Sequence, residues 1–444
     1  MTVDVGSAFV RNPFSSPLWR NNAFVRVWAA ASISIFGSLI TRIALPLVAI
    51  LTLNAGPIEV AVLRSMELVV ALIVGLVAGA WVDRLMRRPV LIWADLGRAA
   101  LLLVIPLSFM LGTLALWQLL LVAALTAVLT TFFDAADNAY LPTIVERERL
   151  LEANSALAAS GSVAEFAGFG ISGILVQLLT GPITILINAV TYIVSAVLLL
   201  SVRHVEAPPP PREDREPVLD EIRHGIRLVR HEPVLRAFAG AQMLMSMLWG
   251  VFGATWFLFA LELDVGPAMV GIIAGVGGAS SFIGAILATR STGRWGVGPV
   301  AIVAMLLAAV GNLFIPLAPA GLPLIAIGCF LAQQLIADSA ITVYDVTETS
   351  VRQALVADRE LGRVASTFQV LSAGAQLVAT VGAGLLAEVI GLRATSFLAP
   401  LGGLLAAAIL YWSPVRTLRI LPVRDHRDAA TIALEVERDQ PVGA

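Results

Sequence analysis

The sequence has no lysine: all 29 basic residues among its 444 positions are arginine. A Walker A phosphate loop, a protein kinase and a Schiff-base enzyme each need a lysine, so those classes are excluded, and no ATPase of the usual kind is expected. Cys329 is the single cysteine, which rules out an intramolecular disulfide. Lying in an apolar run, it reads as a small buried residue. The four histidines, His204, His224, His231 and His426, all lie in polar stretches, and no Cys/His spacing suggests a metal site. No metal, cofactor, nucleic acid or catalytic constellation is expected, so the chain does not read as an enzyme. Charge is scarce too. Only 14% of residues are charged, against roughly 25% in a soluble chain. The rest is apolar, at 58% hydrophobic residues and a mean hydropathy of +0.88.

What is present is apolar length. A bilayer core of about 30 Å needs about 20 helical residues to cross it. Gly, Pro and charged breaks divide the chain into twelve such runs: 27–53, 58–82, 90–111, 115–140, 155–179, 183–201, 234–260, 267–289, 298–318, 322–345, 364–389 and 394–413. The first run begins after three arginines and is too long for a signal peptide's apolar region, so it is expected to remain as a membrane helix. With a cytoplasmic N-terminus, cytoplasmic segments hold 24 of the 29 arginines, the outer loops hold Arg393, and Arg42, Arg64, Arg98 and, at the very start of its run, Arg236 lie within spans. That asymmetry places both termini in the cytoplasm of a multi-pass cell-membrane protein.

The expected organisation is an N-terminal tail (1–26), a six-helix half (27–202), a linker (203–233), a second six-helix half (234–413) and a C-terminal tail (414–444). The linker opens with "RHVEAPPPPREDREP", too proline-rich and charged to pack a core. It continues with "VLDEIRHGIRLVRHEP", where Val218, Ile222, Ile226 and Val229 recur opposite Arg223, Arg227 and Arg230. This reads as an amphipathic helix lying on the membrane, with a regulatory partner site as the alternative.

The halves repeat. "DAADNAYLPTIVERERLLEANS" from Asp134 and "DVTETSVRQALVADRELGRVAS" from Asp345 align without a gap, matching Asp134 with Asp345 and Asp137 with Glu348. The first and seventh runs share a glycine, Gly37 and Gly250. The fold class is therefore an all-α integral membrane protein of twelve transmembrane helices in two pseudo-symmetric halves.

Between the second and third runs stands "GAWVDRLMRRP". Gly79, Asp83, Arg84, Arg87 and Arg88 make it similar to the loop 2–3 signature of the major facilitator superfamily, with Met86 where that signature carries a glycine. The opening "LWRNNAFVRVWAAASISIFGSLITRIALPLVAI" and the stretch from Asp134 resemble the branch of macrolide-efflux and enterobactin-exporter-like secretion proteins, drug:proton antiporters among them. "AGFGISG" (Ala167–Gly173) resembles the antiporter motif of the fifth span but lacks its proline. The resemblance implies a cavity lined by spans one, two, four and five and their equivalents. It implies that Gly79 packs against span eleven, and that Asp83 faces that helix's N-terminus near Gly362–Ser366 as a latch. Asp134, Asp137, Asp345 and Glu348 would bind loop arginines as gates, while Arg84, Arg87 and Arg88 anchor to lipid headgroups.

An ionisable residue inside a span costs about 2.5–3.5 kcal/mol on insertion scales, so each is a functional candidate. These are Glu165, Glu67 and Asp338, with Arg42 as counter-charge and Arg64 one turn from Glu67. Static pairing of Arg64 with Glu67, or of Arg42 with Glu165, is the alternative. Asp95 and Arg98, three residues apart, read as a local pair. Trp249, Phe252 and Trp256 share one face of the seventh span, which lines the cavity by resemblance; packing or lipid contact is the alternative. The expected function is a monomeric secondary transporter working by alternating access, exporting hydrophobic or amphipathic small molecules such as drugs or macrolides in exchange for protons. An exporter of one endogenous metabolite such as a siderophore, or a non-transporting receptor or scaffold, are the competing readings.

Overall fold

A computed structural model describes residues 16–82, 84–146, 149–204, 206 and 218–420. Among these residues there is no strand. The first half forms α1 (Asn22–Leu53), α2 (Pro57–Val82), α3 (Arg87–Met110), α4 (Leu116–Ile144), α5 (Leu150–Leu179) and α6 (Gly181–Ser201). A short linker helix follows, α7 (Val218–His231). The second half forms α8 (Pro233–Glu262), α9 (Pro267–Trp295), α10 (Val297–Leu317), α11 (Pro323–Leu355), α12 (Asp358–Ile390) and α13 (Leu392–Tyr411). Eleven of these are long and apolar enough to cross a membrane. The 26-residue α2, which carries Glu59, Arg64 and Glu67, completes the twelve.

The breaks are chemical. Proline opens α2, α8, α9 and α11, where its missing N–H would be unbonded in any case. Asn54 closes α1 in the left-handed conformation (φ 56°), and Gly112, Gly296, Gly321 and Gly391 take positive φ at other ends. Asn21 starts α1 earlier than its apolar run does, because its side chain accepts from the N–H groups of Ala23 and Phe24. Other ends also outrun the expected spans: α4 continues past Tyr140 to Ile144, α5 begins at Leu150, α9 runs to Trp295, α11 runs to Leu355, and α12 begins at Asp358. Hydrogen bonding does not stop where apolar composition stops.

The chain divides into two compact units. Unit one holds the chain to Ala55, Val69 to the linker, and Pro267–Gly275; unit two holds Gly56–Leu68, the linker's end to Gly266, and Val276 onward. The start of α2 thus belongs with unit two and the start of α9 with unit one. In unit one, α1 packs on α5 and α6, and α3 packs on α4 and α6. In unit two, α8 packs on α12 and α13, and α10 packs on α11 and α13.

Glycine sets the closest approaches. In unit one, a Cβ on Gly173 of α5 would lie 2.8 Å from both the N and Cα of Gly271 in α9. One on Gly275 would lie 2.8 Å from Phe166 O. Gly271 and Gly275 are four apart, the spacing that lets membrane helices touch through their backbones. In unit two, Gly384 of α12 faces Ala61 and Pro57 of α2. Gly37 and Gly250 are not structural equivalents, since Gly37 faces Asn188 and Thr191 of α6 and Gly250 faces the α12 backbone. In the register that aligns Asp134 with Asp345, Gly37 falls opposite Leu248. Two residues are about 200° around a helix, so the two glycines point to different neighbours.

Candidate functional site

The deepest charge in unit one is the pair Asp95–Arg98 on α3, and both residues are fully buried. The i, i+3 spacing lets the guanidinium reach the carboxylate of its own helix. Other helices complete the shell. The guanidinium lies 4.2 Å from the ring centre of Phe133 on α4 and 4.3 Å from that of Tyr192 on α6. Arg98 also donates to Ser34 of α1 and Thr130 of α4, each at 3.4 Å. One side chain thereby ties four helices together.

The loop signature is only partly described. Asp83 lies outside the described residues, as do the surroundings of Gly79, so the latch and the packing of Gly79 are not tested. Arg84 is exposed, as an anchor would be. Arg87 and Arg88 are turned inward, against the expectation of headgroup contact. The Arg87 backbone N–H donates to Glu206 Oε1 at 2.9 Å, its guanidinium reaches the same oxygen at 3.2 Å, and the Arg88 N–H donates to Oε2 at 3.2 Å. The Arg88 side chain caps α6, donating to Leu199 O at 3.0 Å and Leu200 O at 2.7 Å. Buried Glu206 thus sits on the N-terminus of α3, where the free N–H groups and helix dipole favour an anion. It fixes the start of the linker to the loop. Met86 has φ −66°, which any L-residue adopts, so the position does not require glycine. Met86 helps line an apolar groove of about 510 Å³ with Pro89, Val90, Trp93, Leu129 and Phe132.

Arg42 on α1 and Glu165 on α5 are both exposed. Neither has an ion-pair or hydrogen-bond partner among the described residues, so the expected pairing of the two does not form. On α4, Asp134 is exposed and Asp137 half-buried.

In unit two, Arg64 and Glu67 do pair, at 3.3 Å on one face of α2. The repeat partners of Asp134 and Asp137 on α11, Asp345 and Glu348, differ from each other. Asp345 is exposed, whereas Glu348 is buried and pairs at 3.1 Å with Arg352 of its own helix, one turn on, instead of with a loop arginine. Arg352 in turn lies 5.1 Å over the Phe368 ring. The aromatic face of α8 is mostly core. Phe252 and Trp256 are buried, with Trp256 set edge-on against Phe330 at 5.5 Å, and only Trp249 presents surface, at 41% exposure. Periodicity put the three on one face, but two of them are buried, Trp256 against Phe330 of α11. Cys329 is half-exposed, not buried as its apolar run suggested.

The linker helix α7 seats on α12. A Cβ on Gly225 would collide with Thr367 Oγ1 and the Arg363 carbonyl, and His224 Nε2 lies 3.9 Å from Glu360 Oε1. Val229 is buried there while Ile226 is 38% exposed, so the buried edge is rotated from the one expected. The side chains of Val218 and Ile222 lie outside the described residues.

Asp338, last of the expected candidates, is buried at the end of a π turn, Gln334–Asp338, in the middle of α11. On α11 and its neighbours sequence reasoning missed several buried neutral polar groups: Gln333 and Gln334 on α11, Ser280 on α9 and Asn312 on α10. Neutral amides and hydroxyls barely interrupt an apolar run, and π turns have no simple sequence signal. No cluster of metal-binding side chains occurs among the described residues.

Twelve long helices, eleven of them apolar enough to cross a membrane, with ionisable groups among them, are the architecture of a polytopic membrane transporter. The family model of the Major Facilitator Superfamily matches residues 27–347, and the chain belongs to that family. Such proteins move small-molecule substrates through a membrane. Over 390 residues the chain is 27% identical to the multidrug efflux pump Tap of Mycolicibacterium fortuitum, covering 85% of this chain and 92% of that protein. It is 23% identical over 250 residues to the MFS-type transporter YvqJ of Bacillus subtilis (strain 168), where the match spans 54% of this chain and 59% of that relative's length. The crystal structure of the nucleoside transporter NupG superposes with a TM-score of 0.73 at 11% identity, covering 88% of this chain and 98% of that one, a likeness of fold alone.

Proposed function

We propose that the protein is a proton-coupled exporter of hydrophobic or amphipathic small molecules, working as a monomer by alternating access. In this reading it lies in the cytoplasmic membrane with its arginine-rich loops and both termini on the inside. The observation that carries the coupling is Glu165: a carboxylate within a span, with no partner among the described residues, next to a helix that bears an equally unpartnered Arg42. Insertion scales penalise such groups, and proteins keep them where charge must change during work. In this reading Glu165 is the group that carries the coupled proton and Arg42 its counter-charge. The relationship to the efflux pump Tap supports the outward direction and the drug-like cargo.

The test is flux in liposomes. Purified protein under an imposed pH gradient should move one or more of a panel of fluorescent hydrophobic compounds, and Glu165→Gln should abolish the gradient-driven part while leaving downhill exchange. Absence of gradient-driven flux for every compound, or full flux in both Glu165→Gln and Glu67→Gln, would refute the reading.

A further inference from the structure

The third helix of each unit starts in the same way. α3 begins at Arg87 after Met86, and α10 begins at Val297 after Gly296. The first N–H groups of a helix have no partner within it and must be bonded from outside. In both units a partner comes from the chain that leaves the unit's own sixth helix. The Arg88 N–H donates to Glu206 Oε2 at 3.2 Å, beyond the end of α6 at Ser201. The Gly298 N–H donates to Leu418 O at 2.8 Å, beyond the end of α13 at Tyr411. Arg88 and Gly298 are each the second residue of their helix.

The acceptors differ, and the glycines record the difference. A carboxylate reaches its donors on a side chain, so the backbone that carries it can stand off. A carbonyl brings its backbone with it. A Cβ on Gly298 would run into the Val415 carbonyl, and one on Gly296 would lie 2.9 Å from Arg419 Cα. Gly296 also has φ 89°, a conformation that suits glycine. Met86, at the same position in unit one, is exposed and has φ −66°. The segment that presses on these glycines is itself held. Ser413 Oγ accepts from the Val415 N–H at 3.2 Å and starts a short 3-10 helix, Pro414–Thr417. Val415 is fully buried in the apolar core that also holds Val297, Val300 and Leu410. Arg419 Nη1 donates to Trp295 O at 3.1 Å, at the end of α9. Residues 414–419 thus touch the end of α9 and the start of α10 directly after the exit of α13.

We propose that Pro414–Arg419 is a clasp that makes the α9–α10 turn and the exit of α13 one rigid piece, the counterpart in unit two of the Glu206 clasp on α3. Each unit then secures the loop before its third helix with its own exit segment, by charge in unit one and by backbone in unit two. In the alternating-access reading a unit that rocks as a body must not bend at this turn, and the clasp prevents it. That last step rests on the transport reading; the clasp itself does not.

Full-length protein in liposomes tests the clasp without cargo. Spin labels on Arg290→Cys and Thr417→Cys, with Cys329→Ser removing the native thiol, should report one narrow distance. Gly298→Ala should broaden it, whereas Gly293→Ala, whose Cβ would meet nothing within 4 Å, should not. Val415→Ala, which trims only the buried anchor, should also broaden it and keeps the test open if Gly298→Ala fails to fold. Amide exchange should separate the units: Gly298→Ala speeds it at Val300 by about 5–30-fold and leaves Arg87 and Arg88 unchanged, and Glu206→Gln does the reverse. A broad distance in the parent, an equally narrow one in every variant, or exchange that rises in both units together would overturn the clasp. Downhill exchange of a compound the parent moves should slow in Gly298→Ala; full exchange beside a broadened distance would overturn its part in transport. A parent that moves no compound would refute the exporter reading alone and leave the spin-label result to decide the clasp.

Discussion

Replacing Arg98 by leucine should be among the most damaging single changes in unit one. The side chain is fully buried, its charge neutralises Asp95, and its planar head lies between two rings at 4.2 and 4.3 Å. Removing one member of a buried ion pair costs about 3–5 kcal/mol, because the other is left uncompensated. Desolvated cation–π contacts of about 2 kcal/mol each belong to the same guanidinium and do not add in full. A loss of about 4 kcal/mol is the working figure. For a unit of this size each kcal/mol shifts the melting temperature by about 2–4 °C, so Arg98→Leu should melt about 10 °C below the parent in thermal denaturation of purified protein. The double variant Asp95→Leu/Arg98→Leu removes the stranded charge and should recover most of that loss, since apolar residues of similar volume replace buried pairs at little cost. A single variant within about 2 °C of the parent would refute the role assigned to the pair. So would a double variant no more stable than the single one.

Two other changes follow from geometry. Glu206→Gln removes the charge that holds two N–H groups at the start of α3, a loss of about 1–2 kcal/mol by analogy with N-caps, and should speed amide exchange at Arg87 and Arg88 by about 5–30-fold; unchanged exchange would show that the clasp is idle. Gly173→Ala should lower thermal stability by about 1–3 kcal/mol because its Cβ must enter the backbone of Gly271, whereas Gly170→Ala, whose Cβ would meet nothing within 4 Å, should leave it unchanged; equal effects would refute the backbone contact.

The helices were legible because a bilayer demands apolar runs and this chain breaks them with proline, glycine and arginine. Their polar ends were not, since Asn21 and Asp358 extend helices into stretches that hydropathy scores as loop. The Asp95–Arg98 pair could be read from spacing, but not the rings of Phe133 and Tyr192, which come from helices distant in sequence. Glu206 was hidden for the opposite reason. It stands in a proline-rich, charged linker where every residue reads as solvated, and only the folded loop brings it to the N–H groups of Arg87 and Arg88. On α8, a shared face could not say whether Phe252 and Trp256 look into a cavity or into α11. Met86 broke a sequence pattern and nothing in the backbone, because its φ is negative.

The repeat explains why chemistry need not be equal in the two units. In the register that aligns Asp134 with Asp345, Asp338 falls opposite Ala127, within the apolar stretch "LVAALTAV" of α4, which is an unbroken α-helix. Unit one therefore has no carboxyl, no amide pair and no π turn at the depth where unit two has all three. Conversely, in that register Asp95 and Arg98 fall opposite Leu306 and Ala309 of α10, so unit two lacks the buried pair. A duplicated scaffold constrains where helices run, because packing needs only size and apolarity at each position. It does not constrain which buried position is polar, since a single substitution can add a carboxylate wherever neighbouring hydroxyls and amides can hold it. The pair in unit one is held among four helices, yet Asp95 Oδ2 and Arg98 Nε are left without a hydrogen-bond partner beside the ion pair. In unit two the comparable orphans, Asn312 Nδ2 and Gln333 Oε1, belong to neutral amides and not to an ion pair. Arg98→Leu, which strands a buried carboxylate, should therefore lower the melting temperature by more than Asn312→Leu/Gln333→Leu, which removes neutral groups only; equal losses would refute the distinction.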